Sequence, residues 1–240
     1  MAELAIDETV IQWSVNGVRS DEAAALSALS EYPLLVLLHG YGSHEGDLIG
    51  LAPELPGGFV CASLRAPIKL GPPIVNGYGW WQIVTPGYPD LPVINQAAEA
   101  VLAWLDKLSA RLDAGLGEIA LLGFSQGGLM VTQLYRHAPT RFSAGIICSG
   151  FVAGGELPGD AELAANRPAL FWGRDVDDPI ITQVAIDRTL QWLPVHSTLT
   201  EKLYPGIAHS ISLDEIRDIN EFLFEQVPSL KLADAHGDAQ

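Results

Sequence analysis

The stretch that decides the fold is EIALLGFSQGGLMVTQLYRHA, residues 118–138. Its first part, EIALLGF, is a short apolar run typical of a buried parallel strand, and QGGLMVTQLYRHA has the spacing of an amphipathic helix. The joining turn, residues 123–127, reads Gly-Phe-Ser-Gln-Gly, which is the pattern G-x-S-x-G with Ser125 at its apex. Glycine is needed two residues either side of the serine because larger side chains would collide in so sharp a turn.

The same alternation of strand and helix runs through most of the chain. Other apolar runs of strand length lie near 33–40, 58–64, 143–150, 168–173 and 198–204. Amphipathic spacing predicts helices over 47–55, 95–113, 126–138, 180–193 and 212–227. Near the start, Asn16-Gly17 favours a type I′ hairpin turn between two short strands. We therefore predict the α/β class, with a mostly parallel central sheet, helices on both faces and an antiparallel N-terminal edge.

Length and composition favour one globular domain, which we place at residues 1–228. Of the 240 residues, 48% are hydrophobic, enough to bury a large core. Two segments do not fit the alternation. Residues 66–92 are long, rich in Pro and Gly and aromatic, and are interpreted as a lid or pocket wall. Residues 152–167 are expected to form a mobile loop, and 229–240 a flexible C-terminal tail.

Charge and hydropathy narrow the range of partners. The 13 Lys and Arg against 29 Asp and Glu give a net charge of −16, which repels nucleic acid and anionic membrane surfaces. No apolar run is long enough to span a bilayer, and the first residues do not resemble a signal peptide. We expect a cytoplasmic protein with no stable membrane anchoring, no nucleic-acid partner and two buried free cysteines. The sequence leaves open whether the chain is a monomer or a homodimer.

A serine at such a turn can act as a nucleophile if a base and a carboxylate follow it, in the chain order Ser, Asp or Glu, His. Of the six histidines, His209 alone follows the serine at the end of the last predicted strand; the others lie before the serine, in the next helix, at the start of that strand, or in the tail. The acid is sought after strand 168–173. Asp178 is preferred because Pro179 fixes its position, and Asp177 and Asp175 remain alternatives.

Two backbone N–H groups are also needed to bind the oxyanion of the reaction intermediate. The residue after the serine, Gln126, is predicted to supply one of them. The second is assigned to Tyr41 in the loop His39-Gly40-Tyr41-Gly42, because its glycine neighbours let the backbone turn inward. No metal or cofactor is predicted, since His39 and His44 lack a third ligand and the Asp cluster lacks EF-hand spacing.

Several motifs together resemble the phospholipase/carboxylesterase family of α/β hydrolases, which includes the acyl-protein thioesterases. They are LLVLLHGYGSHEGDLIGLAPELP, SLRAPI, the pair Trp80-Trp81, GFSQGG, the Asp-Pro turn and GIAHSI, and they span residues 33–225. The resemblance implies the α/β-hydrolase fold, with the following site: nucleophile Ser125, acid Asp178, base His209, oxyanion donors Tyr41 and Gln126, and an acyl pocket bordered by Trp80 and Trp81. The chain departs from the family's usual pattern at Trp172, where histidine often stands before glycine, and at Ser43, where aspartate is frequent.

These observations predict a metal-independent carboxylesterase that cleaves short- to medium-chain esters through an acyl-enzyme on Ser125. Its partner would be a small-molecule acyl ester or thioester. Acyl-protein thioesterase or lysophospholipase activity is the alternative within the same chemistry. A catalytically silent hydrolase fold that binds a ligand or a partner is the alternative from another class.

Overall fold

The structure, a computed structural model, describes residues 3–230 as one eight-stranded sheet flanked by helices. The strands are β1 Gln12–Val15, β2 Val18–Ser20, β3 Leu34–Leu38, β4 Val60–Leu64, β5 Ile68–Lys69, β6 Tyr78–Gly79, β7 Ile119–Phe124, β8 Ala144–Cys148, β9 Ala169–Arg174 and β10 Thr198–Leu203. The α-helices are α1 Glu22–Ala28, α2 Leu91–Ala110, α3 Gln126–His137, α4 Asp160–Asn166, α5 Gln183–His196 and α6 Leu213–Gln226.

The central sheet has the strand order β10-β9-β8-β7-β3-β4-β1-β2. Strands β3, β4 and β7 to β10 are parallel to one another, and β1 pairs antiparallel with both β4 and β2. The edge hairpin turns at Asn16 and Gly17, whose φ angles of 51° and 77° are those of a type I′ turn. The predicted α/β class and the antiparallel N-terminal edge are thus confirmed.

Each face of the sheet carries its own hydrophobic core because successive side chains of a strand point to opposite faces. In β3, Leu34, Val36 and Leu38 pack into the larger core, whereas Leu35 and Leu37 pack into the smaller one. Helices α1 to α5 cover the larger core, and α6 with the 3₁₀ helix Leu48–Glu54 covers the other.

The chain order of the strands reverses between β3 and β7. From β3 the chain continues to β4 on one side, and from β7 it continues to β8 on the other. The loops that leave the carboxyl ends of β3 and β7 therefore diverge and leave a crevice, which is where open α/β sheets bind ligands. Both of the sequence segments that were singled out for chemistry, residues 39–42 and Ser125, lie there.

Several predicted helices differ from those in the structure. The helix predicted over 47–55 is a 3₁₀ helix, Leu48–Glu54, and not an α-helix, since Pro53 lacks the amide needed for α-helical hydrogen bonding. Helix α2 begins at Leu91, four residues before the predicted start, because Asp90 caps it by accepting a hydrogen bond from Val93 N. Helix α1 was not predicted.

The two irregular segments contain short elements. Within 152–167, expected to be a mobile loop, α4 is held by an ion pair of 2.7 Å between the buried guanidinium of Arg136 and Asp160. Within 66–92, β5 and β6 form a two-stranded ladder, and Tyr78 also bridges to Ser43 in the loop after β3. These contacts fix one end of the 66–92 segment to the crevice.

Most of the predicted C-terminal tail, residues 231–240, lies outside the described residues. Its first two residues are packed and not frayed: Ser229 N donates to a carboxylate oxygen of Glu118 at 3.0 Å, and Leu230 is buried in the smaller core. Over residues 3–230, no helix combines the length and the hydrophobicity needed to cross a membrane.

Candidate active site

Ser125 stands at the strained turn between β7 and α3. Its φ of 56° and ψ of −113° lie in a region that non-glycine residues rarely adopt. The turn tolerates no larger residue beside it: a Cβ on Gly127 would overlap the carbonyl oxygen of Leu38, and one on Gly123 would overlap the carbonyl of Gly127. Glycine at both positions therefore allows the strand, the turn and the helix to pack closely around Ser125.

Three of the predicted site residues form one chain of hydrogen bonds. The Oγ of Ser125 is 2.9 Å from Nε2 of His209, and Nδ1 of the same ring is 2.7 Å from Oδ2 of Asp178. An ionised carboxylate can only accept, so Nδ1 carries the proton and Nε2 presents its lone pair to the serine hydroxyl. The ring of Phe124 packs beside the imidazole, with 4.9 Å between centroids.

The three candidate carboxylates have different environments. Asp178 is almost fully buried and also accepts from the amides of Ile180 and Ile181 through its other oxygen. Asp175 does not contact the imidazole and binds backbone amides, while Asp177 is exposed. Only Asp178 is therefore positioned to orient His209.

The loop after β3 lies directly against the serine. A Cβ on Gly40 would stand 3.1 Å from the ring of Phe124 and 3.4 Å from Cβ of Ser125, so glycine lets the loop lie against both residues. The amide N–H groups of Tyr41 and Gln126 have no acceptor within residues 3–230. The amide of Gln126 belongs to the first turn of α3, where backbone N–H groups have no partner within the helix and can bind an anion.

His39 fixes the course of this loop from within the core. The ring is fully buried; its Nε2 accepts from Ala66 N at 3.1 Å, so its Nδ1 carries the hydrogen donated to the carbonyl of Gly40 at 2.7 Å. Burial lowers the pKa of His39, which keeps the ring neutral and able to accept. His39 is thus a positioning residue for the backbone at Gly40.

A cavity of about 150 Å³ opens beside Ser125 and Gln126. Its other lining residues are mostly apolar and come from the 66–92 segment, the loop after β8, the loop after β9 and the first turn of α5: Trp81, Ile83, Thr85, Pro86, Gly87, Tyr88, Pro89, Phe151, Ile180, Ile181, Thr182 and Ala185. The interpretation of 66–92 as a pocket wall thus agrees with the position of residues 81–89.

The two adjacent tryptophans have different positions, which corrects one expectation. Trp81 lines the cavity, and its ring meets that of Phe151 edge-on with centroids 6.4 Å apart. Trp80 was expected to border the same pocket but does not line it; its ring is fully buried, and Nε1 donates to the carbonyl of His39 at 2.9 Å. Trp80 supports the loop after β3.

Sequence reasoning missed Phe151 and the contribution of α5 to the cavity. Phe151 follows β8 almost directly, so its place at the carboxyl end of the sheet is a signal that could have found it. The same signal applies to Ile180, Ile181 and Thr182, which lie in the loop after β9. Ala185 on α5 gave no comparable signal, because its approach to the site depends on how that helix packs. Within residues 3–230, no group of three or more His, Cys, Asp and Glu side chains is arranged to hold a metal ion.

Comparison with known proteins agrees with this architecture. The chain is 26% identical over 171 residues to "Probable carboxylesterase SOBER1-like" of Arabidopsis thaliana, covering 65% of this chain and 64% of that protein, which is less than two thirds of its length. It is 27% identical over 152 residues to Acyl-protein thioesterase 1 of Kluyveromyces lactis, covering 60% of this chain and 67% of the relative.

Among solved structures, the carboxylesterase of Bacillus cereus has the same fold, with a TM-score of 0.70 at 16% identity over 90% of this chain and 93% of that one. A model of one family, Phospholipase/Carboxylesterase, matches residues 21–226, which contain every residue of the site. The chain therefore belongs to the phospholipase/carboxylesterase family.

Proposed function

We propose that the chain is a carboxylic ester hydrolase that forms an acyl-enzyme on Ser125. The observation that carries this proposal is the hydrogen-bond chain from Ser125 through His209 to Asp178, at the mouth of an apolar cavity. Family membership and the carboxylesterase and thioesterase relatives support the same chemistry. A silent fold is disfavoured because strain at Ser125 persists only where the surroundings enforce it, which is typical of functional sites.

In the first half-reaction, Oγ of Ser125 attacks the ester carbonyl carbon while its proton passes to Nε2 of His209. The carbonyl oxygen becomes an oxyanion and accepts hydrogen bonds from the amides of Tyr41 and Gln126. Asp178 stabilises the imidazolium that forms. The intermediate collapses, the bond to the alcohol oxygen breaks, and His209 returns the proton to that oxygen so that the alcohol leaves neutral.

In the second half-reaction, water takes the place of the alcohol. His209 removes a proton from the water as its oxygen attacks the acyl carbon, and the same oxyanion donors act again. His209 then protonates Oγ as the bond to the acyl carbon breaks, which releases the carboxylic acid and regenerates Ser125. Losing one oxyanion donor typically lowers the rate by ~10² to 10³, so the loop at Tyr41 contributes substantially to catalysis.

The size of the cavity favours short acyl chains. A cavity of ~150 Å³ in an engineered protein holds one benzene molecule, about six carbon atoms. An acyl chain much longer than that would have to displace the wall formed by residues 85–89. The cavity volume supports short-chain carboxylesters over long-chain protein thioesters as the preferred substrates. Thioesters are the second class to test, because the chain is similar to an acyl-protein thioesterase. Cytoplasmic location remains a prediction.

The test is hydrolysis of a chain-length series of p-nitrophenyl esters and matched acyl thioesters, with and without a chelator. We expect the highest kcat/KM at about four to six acyl carbons and no effect of the chelator. Ser125→Ala should lower kcat by more than ~10³-fold. Ser27→Ala, at an exposed position on α1, is the matched control and should keep full activity.

Circular dichroism and thermal melting of Ser125→Ala separate loss of chemistry from loss of folding. A folded wild-type protein that turns over none of these substrates would favour the silent, ligand-binding alternative. Turnover that survives Ser125→Ala would show that the serine is not the nucleophile.

A further inference from the structure

A second cleft, separate from the acyl cavity, lies beside the imidazole of His209. It has a volume of about 300 Å³ and is lined by Asp47, Leu48, Leu51, Phe124, His209, Ser210 and Ile211. The two cavities share no lining residue. The acyl cavity contacts Ser125 and Gln126 but not His209, whereas this cleft contacts His209 but not Ser125. The rings of Phe124 and His209, packed side by side, lie along it.

Ester hydrolysis requires separate positions for the acyl group and for the alcohol. The acyl carbon bonds to Oγ of Ser125, but the alcohol oxygen must come within hydrogen-bond reach of Nε2 of His209 to receive its proton. The alcohol therefore needs space next to the imidazole. This cleft contacts His209 and shares no lining residue with the acyl cavity, so it is the candidate for that space.

The walls of the cleft determine which alcohols fit. Leu48, Leu51, Phe124 and Ile211 are apolar, and Leu48 is 4% exposed, so the floor belongs to the smaller hydrophobic core. The side chain of Asp47 is exposed at the rim, where its carboxylate accepts a hydrogen bond of 2.6 Å from Oγ of Ser43. No Lys or Arg lines the cleft.

We propose that this cleft is the leaving-group subsite and that it selects apolar alcohols that are neutral or cationic while rejecting anionic ones. The selection rests on the proposed ester hydrolysis at Ser125. Asp47 and the net charge of −16 both repel a negatively charged alcohol. Substrates with a phosphate or carboxylate on the alcohol, such as acyl phosphoglycerols, are therefore poor fits.

The experiment holds the acyl group constant and changes the alcohol. Butanoate esters of phenol, 3-hydroxybenzoate and 3-(trimethylammonio)phenol are compared, each kcat/KM being divided by the rate of hydroxide hydrolysis to remove intrinsic reactivity. We expect the normalised kcat/KM to rank cationic and neutral esters above the anionic ester by about fivefold or more at low salt. High salt should reduce the difference, because Asp47 is exposed and screened.

Asp47→Asn keeps an oxygen to accept from Ser43 and removes the charge. It should shrink the cationic-to-anionic ratio about fivefold. Asp113 is an exposed residue before β7, toward the amino ends of the parallel strands, whereas the site lies at their carboxyl ends. Asp113→Asn makes the same change in net charge and should leave the ratio unaltered. An equal effect of both variants would assign the selection to net charge and overturn the role of Asp47.

Leu51→Trp tests the apolar walls independently by filling the cleft. It should lower the ratio of kcat/KM for phenyl butanoate to that for methyl butanoate about tenfold, since only the larger alcohol needs the space. An unchanged ratio in both Leu51→Trp and Asp47→Asn would overturn the subsite. Failure of the proposed function looks different, because no ester would then show turnover that depends on Ser125.

Discussion

The carboxylate of Asp175 accepts a hydrogen bond of 2.6 Å from the amide of Ala208, one residue before the imidazole that Asp178 holds. Ala208 has a φ of 55°, so the backbone here is in the left-handed region. The two carboxylates on the same turn have separate tasks: Asp178 orients the ring of His209, and Asp175 fixes the backbone that carries it. Backbone amides, first that of Asp177 and also that of Ala208, lower the pKa of Asp175 and keep it ionised.

This division predicts different outcomes for the three aspartates. Asp178→Asn should lower kcat by ~10⁴-fold, because an amide at that position favours the wrong tautomer of the imidazole. Asp175→Asn should lower kcat only about tenfold, since the asparagine oxygen still accepts from Ala208 but the loop is less firmly held. Steady-state kinetics on the best ester measures both, and the exposed Asp177→Asn should match wild type. A larger loss in Asp175→Asn than in Asp178→Asn would reverse the assignment.

Arg188 on α5 connects the two walls of the acyl cavity. Its guanidinium donates to the carbonyl of Val152 and to that of Gly87, each at 3.0 Å, and lies 5.7 Å from the ring centroid of Tyr88. Because residues 85–89 form one wall, this clamp limits how far the wall can move.

Arg188→Met retains the apolar stem and loses both hydrogen bonds. We expect KM for the best short ester to rise about tenfold, equivalent to about 1.4 kcal/mol of binding free energy, because the wall at residues 85–89 is less firmly held. The acyl chain-length optimum should move to longer chains. The chain-length series measures both effects. Arg217→Met, at an exposed position on α6, is the matched control. The same chain-length profile in wild type and in folded Arg188→Met would refute the clamp.

The parts of the site that could be predicted are those set by the local geometry of a turn or by the order of parallel strands. The turn around Ser125 follows from its two glycines, and the placement of His209 and Asp178 follows from the carboxyl ends of parallel strands meeting at one edge. Trp80 and Trp81 could not be told apart, because they lie in a bend after β6 and no sequence pattern shows which of the two side chains faces the pocket.

Helix α1 was missed for a related reason. The helix has only seven residues and Ala25 is its only fully buried one, so its apolar stripe is too short for periodicity to detect. Helix α4 buries only Leu163 and is anchored by Arg136, which lies on a different helix. Such elements depend on long-range contacts that local pattern does not record.

Gln126 has a second task beyond its amide. Its side chain is buried, accepts from Trp80 N at 2.9 Å, and donates to the carbonyl of Trp81 at 3.0 Å. Gln126→Leu leaves both of these backbone groups unpaired in the interior and should lower the free energy of unfolding by about 3 kcal/mol. It should also raise KM, since Trp81 lines the cavity.

Urea unfolding and ester kinetics measure these two effects. The exposed Gln183→Leu on α5 is the control and should change neither stability nor KM appreciably. If Gln126→Leu unfolds at the same urea concentration as wild type, the side chain does not support the tryptophan segment.

Glu215, in the first turn of α6, is fully buried; within residues 3–230 no N–H or O–H group donates to its carboxylate, and the thiol of Cys148 lies beside it. Its carboxyl lies against β9, where a Cβ on Gly173 would overlap Oε1. Burial raises the pKa of Glu215 from an ordinary value of 4.5 to about 7. In the interval between these two values, the folded protein therefore binds more protons at this site than the unfolded chain does.

Folding stability from this group is fully present below pH 4.5 and is lost as the pH rises through about 7. The complete loss is on the order of 3 kcal/mol. Glu215→Gln stays neutral at every pH, so its free energy of unfolding relative to wild type should increase from pH 4.5 to pH 8 by this amount. Urea unfolding at several pH values measures the difference, with the exposed Glu221→Gln of the same helix as the control. A constant difference between Glu215→Gln and wild type across that interval would mean that Glu215 is ionised throughout it.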